Sequence, residues 1–285
     1  MINSPELQCG RFRLSLERPL VMGIVNLTLD SFSGDGLGES LDPVERALAQ
    51  GRRMVEEGAH ILDIGAESTR PGASPVPADV ELARIVPVVA ALRELGVPLS
   101  VDTCKPAVMR AAIVAGADMI NDIDALRAEG AIEAVAGSQV ALCVMHMQGQ
   151  PRTMQANPGY GDVLTEVADF LAGRLQVLGQ AGIAKDRLVI DPGFGFGKSV
   201  AHNYALLAGL RHFGCLGVPL LAGLSRKSML GAVTGRPVQE RQAASIAAAL
   251  LAAERGAAIL RVHDVAATVD ALAVWEAMKT VSGEG

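Results

Sequence analysis

Eight short apolar runs, each followed by a longer amphipathic stretch, constrain this chain more than any other feature. The runs are Leu20–Asn26, His60–Gly65, Pro98–Asp102, Asp118–Asn121, Val140–Met145, Arg187–Asp191, Pro219–Gly223 and Ala257–Val262. Each is rich in Val, Ile or Leu and almost continuously apolar, as a strand covered on both faces must be. Helical periodicity fills the intervals. Asp42 stands where it can cap a helix, with Pro43 at the first position and Glu45 reaching back, and Val44, Leu48 and Val55 then share a face. The segment after Asp79 lines up Leu82, Ile85, Val86, Val89 and Leu92. The segment after Asp162 does the same with Val163, Val167, Phe170, Leu171, Leu175 and Leu178. Asp264 can cap a last helix that turns Val265, Val269 and Leu272 inward.

Strand-then-helix alternation implies a parallel sheet, and eight such units in 285 residues imply a closed (β/α)8 TIM barrel of the α/β class. An open doubly wound sheet is the rival, but no dinucleotide fingerprint follows the first strand. Nothing resembling a linker or low-complexity tract splits the chain, so residues 1–285 are expected to form a single domain. Half the residues are hydrophobic but only 3% are aromatic, so Ala, Val, Leu and Ile must build the core. Two stretches, Leu27–Leu41 and Ala66–Ala78, lack periodicity and are long for βα loops, which marks them as functional candidates.

Composition also excludes. A net charge of −6 argues against a general nucleic-acid partner while leaving room for a local basic pocket. Cys9, Cys104, Cys143 and Cys215 form no close pair, so neither a zinc site nor a disulfide framework is expected. The N-terminus lacks a signal-peptide pattern and no apolar run is long enough to cross a membrane. A cytoplasmic protein with small-molecule substrates and no membrane or nucleic-acid partner is the expectation.

In barrels of this kind the reactive groups stand at the C-terminal ends of the strands. Here those ends carry Asn26, Asp63, Asp102, Asn121, His146, Asp191, Ser225-Arg226-Lys227, and Arg261 with His263. A single Asp there is better read as a helix cap. The whole set is too polar for capping alone, and Lys227 and Arg261 cannot accept a helix-start N–H at all. Carboxylates with Asn suit a flat heterocycle bearing amide and amino edges, such as a pterin or guanine. Arg and His suit a phosphate or pyrophosphate. Asp102 and Asp191 need Lys227, Arg261 or a ligand as partners, because a buried lone charge is costly.

Other motifs fail on inspection. Pro192–Ser199 has a phosphate-loop outline, yet Pro192 occupies the first required Gly position. It reads as a tight loop whose two Phe rings either line a pocket or plug the barrel top. His146 and His263 meet no metal-ligand spacing, and no G-x-S-x-G elbow supplies a serine nucleophile.

The segments 22–36 (MGIVNLTLDSFSGDG), 61–73 (ILDIGAESTRPGA), 99–106 (LSVDTCKP), 119–123 (MINDI), 144–155 (VMHMQGQPRTMQ), 191–199 (DPGFGFGKS), 223–231 (GLSRKSMLG) and 260–265 (LRVHDV) together resemble the dihydropteroate synthase family of pterin-binding enzymes. The resemblance runs from the first strand to the last helix. It implies a folate-pathway transferase. Hydroxymethyl-dihydropterin pyrophosphate loses pyrophosphate and the amine of 4-aminobenzoate bonds to the freed methylene carbon. It further implies a pterin site of Asp102, Asn121, Asp191, Lys227 and Arg261, and a pyrophosphate site of Asn26, Arg70, Arg261 and His263. The implied 4-aminobenzoate site is Thr69, Arg70, Pro71, Phe196, Lys227 and Ser228. Asp102, Lys227, Arg261 and His263 are then the catalytic set, with magnesium (Mg2+) as cofactor near Asn26, a homodimer, and sulfonamides as inhibitors. The chain departs from the family pattern at Leu29, Gly34-Asp35, Ala66 and Cys104. Two rivals are a methyltetrahydrofolate-binding methyltransferase, which should lack the S-T-R-P at 68–71 and S-R-K-S at 225–228, and a non-catalytic pterin-binding barrel, which could lose Arg70, Arg261 or His263.

Overall fold

The computed structural model describes residues 6–27, 42–67, 75–151 and 153–282. A hairpin of β1 (Glu6–Cys9) and β2 (Phe12–Ser15) leads into the barrel. The barrel then runs β3 (Leu20–Asn26), α1 (Pro43–Glu56), β4 (Ile61–Gly65), α2 (Ala78–Leu92), β5 (Leu99–Asp102), α3 (Pro106–Ala115), β6 (Met119–Asp122) and α4 (Ala131–Ala136). It continues through β7 (Ala141–Met145), α5 (Val163–Gln180), β8 (Leu188–Asp191), α6 (Val200–Ala208), β9 (Leu221–Ala222), α7 (Ser228–Thr234), α8 (Gln242–Glu254), β10 (Ile259–Val262) and α9 (Val265–Ser282). The strands pair in parallel in the order β8-β7-β6-β5-β4-β3-β10-β9. A parallel bridge from Ile190 to Leu220, with Ile190 N donating to Pro219 O at 3.0 Å, joins β8 to the β9 side and closes the ring. The expected TIM barrel is the observed one.

Each expected strand is found, Leu20–Asn26 with its expected bounds and the others trimmed or shifted by a residue or two. Helix starts differ more. Asp42 precedes α1, but its side chain makes no capping bond, so the capping box expected with Glu45 does not form. The buried face of α1 centres on Ala47, Gly51 and Met54, with Val44, Leu48 and Val55 flanking it. Small residues allow this. A Cβ on Gly51 would stand 2.5 Å from Leu92 Cδ2, so glycine sets how closely α1 meets α2. Asp162 does cap α5, accepting from Leu164 N at 3.1 Å. Asp264 precedes α9 but gives both carboxylate oxygens to Arg226.

The alternation of strand residues builds the site. Outward positions such as Val21, Leu62, Ile64, Val101, Ile120, Leu142, Val144, Ile190 and Leu260 pack against the helices in the main core. Inward positions fill the barrel in layers. The lower layer holds Met22, Ile61, Met119, Ala141, Cys143, Val189, Leu221 and Ile259. Two residues further along the same strands, the inward positions become polar: Asp63 after Ile61, Asn121 after Met119, Asp191 after Val189 and Arg261 after Ile259. Asp102, level with Gly65 and Asn121 in the ladders, belongs to that ring.

The hairpin β1–β2 seals the opposite end and was not expected from sequence. Leu7 and Cys9, both wholly buried, join the lower layer. Arg11 locks the seal, its Nε and Nη2 donating to the Asp118 carboxylate at 3.0 and 2.8 Å. The hairpin thus covers one end of the barrel, and among the described residues the polar groups gather at the other.

Candidate active site

Arg261 is the centre of the polar ring. Its Nε donates to Asp63 Oδ2 at 2.6 Å and its Nη2 to Asp102 Oδ2 at 2.9 Å. Asn121, 5% exposed, reaches the same Asp63 oxygen through Nδ2 at 3.4 Å. Two carboxylates thus share one guanidinium. Burial and the nearby charges of Asp63, Asp122 and Glu81 push the Asp102 carboxyl up to about 7, although Arg261 pulls it back. The same two carboxylates hold Arg261 charged, well above the usual range. Of the partners expected for Asp102, Lys227, Arg261 or a ligand, Arg261 is the one in hydrogen-bond contact.

Asp191, at the end of β8, accepts from Gly193 N at 2.7 Å and starts the Pro192–Ser199 loop. Burial raises its carboxyl, opposed by Gly193 N–H, Lys227 and Lys198. The loop folds against the strand ends because glycine permits it. A Cβ on Gly193 (φ +72°) would fall 1.9 Å from His146 O, and one on Gly197 (φ +62°) 2.4 Å from Gln148 O. The two Phe rings divide between the two readings. Phe194 is a core residue. Phe196 joins Ile123, Met145, Met147 and Met154 in a small apolar wall, with Cys104 packed beside it. Lys227 Nζ lies 4.3 Å from the centroid of the Phe196 ring, a cation–π contact. Burial lowers the Lys227 ammonium to about 8, against the attraction of Asp191. An ammonium over an apolar wall, beside a row of carboxylates, can touch two chemically different ligands at once.

His263 follows β10. Its backbone N donates to Ser225 Oγ at 3.2 Å, and Oγ lies 2.9 Å from His263 Nδ1. Since Ser225 Oγ accepts the backbone N–H, its own hydrogen can go to Nδ1, and we assign the ring hydrogen to Nε2. Burial and the cations Arg226 and Arg261 hold the imidazole near 3, so it is neutral at physiological pH and acts as a hydrogen-bond donor. Arg226 is braced by its Asp264 pair, by Arg226 N donating to Ser245 Oγ at 2.9 Å, and by Arg241 Nη1 on its carbonyl at 3.1 Å. That bracing holds Arg226 at φ +58°, a costly conformation for a residue other than glycine, and so sets where Lys227 begins.

A polar ring of Asp, Asn, Arg and Lys above a hydrophobic layer, with an apolar wall to one side, offers the groups that a planar heterocycle and a second aromatic group call for. Comparison with known proteins agrees. The pterin binding enzyme family matches residues 22–263. Dihydropteroate synthase of Haemophilus influenzae is 54% identical over 265 residues, 93% of this chain and 95% of that protein. The Burkholderia cenocepacia dihydropteroate synthase complexed with 7,8-dihydropteroate superposes with a TM-score of 0.89 at 57% identity, covering 99% of each chain. The Xanthomonas albilineans enzyme with 4-aminobenzoic acid gives a TM-score of 0.91 at 56% identity, covering 97% of this chain and 99% of that one. The chain belongs to the dihydropteroate synthase family of pterin binding enzymes.

Against the sites implied by resemblance to that family, the structure gathers Asp102, Asn121, Asp191, Lys227 and Arg261 at one end of the barrel. Phe196 sits beside Lys227, and His263 two residues beyond Arg261. Asn26 ends β3 beside Gly65, where a Cβ would lie 4.0 Å from Asn26 Oδ1 and 3.6 Å from Asp102 Cβ. Ser228 is exposed at the first position of α7. Thr69, Arg70 and Pro71 lie outside the described residues, as do Leu29 and Gly34-Asp35. Glu67 and Val76, which bracket 68–74, are tied together: Val76 N donates to Glu67 Oε1 at 3.1 Å. Lys105 bonds both Glu67 and the wholly buried Glu81. His146 departs from its expected place among the ligand groups. It is buried, with Nδ1 2.9 Å from Lys198 Nζ and its ring edge-on to Phe170. Sequence reasoning assigned no role to Lys198, which is 3% exposed and reaches Gly193 O, Phe196 O and His146. An interior lysine carries no signal in a single sequence, since its partners are carbonyls. Ser225 and Asp63 were visible at strand ends, but their partners lie far along the chain.

Proposed function

We propose that this chain catalyses the dihydropteroate synthase reaction, joining 6-hydroxymethyl-7,8-dihydropterin pyrophosphate to 4-aminobenzoate with release of pyrophosphate. The observation that carries the reading is the convergence of Asp102, Asn121, Asp191, Lys227 and Arg261 at the open end of a barrel matched over nearly its whole length by dihydropteroate synthases. Asn121 and Asp191 offer an in-plane donor and acceptors to the amide and amino edge of the pterin. As the C–O bond breaks, its electron pair leaves with the pyrophosphate and positive charge develops on the pterin; anionic Asp102 stabilises it. Arg261 and neutral His263, donating through Nε2, meet the departing phosphate oxygens. The arylamine lone pair then forms the C–N bond and a proton leaves its nitrogen. Phe196 and the stem of Lys227 bound the acceptor ring, with Thr69, Arg70, Pro71 and Ser228 completing that site.

Magnesium fits as a companion of the pyrophosphate. Among the described residues no group of three His, Cys, Asp or Glu could hold a metal, so Asn26 Oδ1 would supply one hard oxygen and the substrate the others. When bound, the ion would neutralise charge on the leaving group. One domain supplies the described members of both substrate sites. A homodimer is supported by exposed apolar side chains on three successive helices, Val233 on α7, Leu251 on α8, and Val274 and Met278 on α9. A cytoplasmic location fits four unpaired cysteines and the lack, among the described residues, of any helix long and apolar enough to cross a membrane.

The test is direct. Purified protein with both substrates and magnesium should release pyrophosphate and form 7,8-dihydropteroate, in amounts that depend on added 4-aminobenzoate. No pyrophosphate at saturating substrates would leave the non-catalytic pterin-binding reading in its place.

A further inference from the structure

Arg261 presents Nε and Nη2 along one edge, the pair that ordinarily grips a single carboxylate as a two-pronged fork. Here that edge is split. Nε goes to Asp63 and Nη2 to Asp102. The result is one contact per carboxylate. Asp102 therefore keeps Oδ1 without a partner among the described residues, while its side chain is 16% exposed towards the open end. Asp63 is the opposite. It is wholly buried on β4, and its Oδ1 has no hydrogen-bond partner among the described residues. A buried carboxylate with an idle oxygen is a costly group to retain for packing alone. It cannot meet a ligand directly, because its free oxygen is out of reach of solvent. What it does reach is the Arg261 edge that would otherwise close on Asp102.

We propose that Asp63 is a positioning residue, which holds the Arg261 guanidinium away from two-pronged pairing with Asp102 and so leaves Asp102 an oxygen and a charge only partly offset for the substrate ring. This inference rests on the function proposed above and deepens it. Asp102 is useful to a developing cation only while its charge is not already cancelled by Arg261. Asp63 takes half of that cation's hydrogen bonding, and Asn121, on the same Asp63 oxygen, steadies the carboxylate.

The experiment compares Asp63→Asn and Asp63→Glu with the parent protein across pH. The groups that act on Asp102 are Arg261 on β10, Asp63 on β4, Asp122 on β6, Glu81 on α2 and Lys227 before α7. All but residue 63 are common to the three proteins, so a difference between profiles reports residue 63. In Asp63→Asn, Arg261 should close on Asp102. The acid limb of kcat/KM should then move down by about one pH unit or more, as an opposite charge typically moves a carboxyl. The plateau kcat should fall about tenfold or more. Asp63→Glu, which restores the charge, should keep the limb within about half a unit of the parent, and it also serves if the Asn variant is too unstable to assay. A crystal structure of Asp63→Asn should place Nε and Nη2 on Asp102 together. Equal losses in both variants with an unmoved limb would overturn the proposal, as would an Asn variant with parental kcat. A parent protein that makes no dihydropteroate would instead refute the proposed function, so the two failures are distinguishable.

Discussion

Replacing Asp102 by Asn separates the chemistry of the site from its stability, and the structure fixes the expected size of both effects. A carboxylate about 4 Å from a unit positive charge, at an effective dielectric constant of about 20, contributes about 4 kcal/mol. The charge on the pterin is delocalised and Arg261 already offsets part of Asp102, so about half of that, 2–3 kcal/mol, should appear in turnover. That is a loss of about 10²-fold. Stability should not be lost. Burial raises the Asp102 carboxyl from 3.8 to about 7, so at pH 8 its ionised form costs the empty fold up to about 4 kcal/mol, which Asn removes. That figure is already net of the pull of Arg261, whose Nη2 can still donate to the amide oxygen of Asn. Tm at pH 8 should therefore not fall by more than about 5 °C. Steady-state pyrophosphate release and a thermal melt on one preparation decide the matter. A Tm lowered by more than about 10 °C, with kcat within about threefold, would make Asp102 a structural residue and refute the electrostatic argument.

Three further outcomes are expected. Lys227→Ala should lower kcat/KM for both substrates by about tenfold or more, because Nζ lies over Phe196 and is drawn to Asp191; a defect confined to one substrate in steady-state titration would contradict a shared position. Sulfonamides, which present an arylamine like that of 4-aminobenzoate, should inhibit competitively with it at the site of Phe196, Lys227 and Ser228, and inhibition not relieved by added 4-aminobenzoate would count against that site. The His263 ring is held near 3 when folded against 6.5 ordinarily, so it favours the fold fully above pH 6.5 and loses that contribution as pH falls towards 3. His263→Asn should therefore take about one proton from the acid slope of stability in urea titrations between pH 7.5 and 5, and identical slopes would show that the folded ring titrates normally.

The fold was legible because every barrel strand is covered on both faces, and a run such as Val140–Met145 has no other stable use for its apolar side chains. The N-terminal hairpin was not legible. Glu6–Cys9 and Phe12–Ser15 are short and half polar, and what makes them strands is the barrel floor they cover, where Leu7 and Cys9 share a cluster with Met22, Ile61 and Val189. Capping was legible at Asp162, whose partners, Leu164 N and Thr165 Oγ1, both lie in the first turn of its own helix. It failed at Asp264, where Arg226 competes for the carboxylate. Local patterns thus succeed wherever local partners suffice.

The same distinction explains the site. Asp102, Asn121, Asp191 and Arg261 could be picked out because a strand end in a parallel barrel has a known direction, so residue type and position together imply a pocket. The division of Arg261 between Asp63 and Asp102 could not. It depends on three strands meeting across sequence separations of 198 and 159 residues, and on which edge of one guanidinium each carboxylate meets. Sequence names the charges in a site, but their partition determines what they do. Had both prongs of Arg261 closed on Asp102, the same residues would form a neutral pair with little to offer a cation. In the role proposed for it, a single buried carboxylate on β4 prevents that closure, which makes Asp63 a positioning residue for a catalytic set it does not itself join.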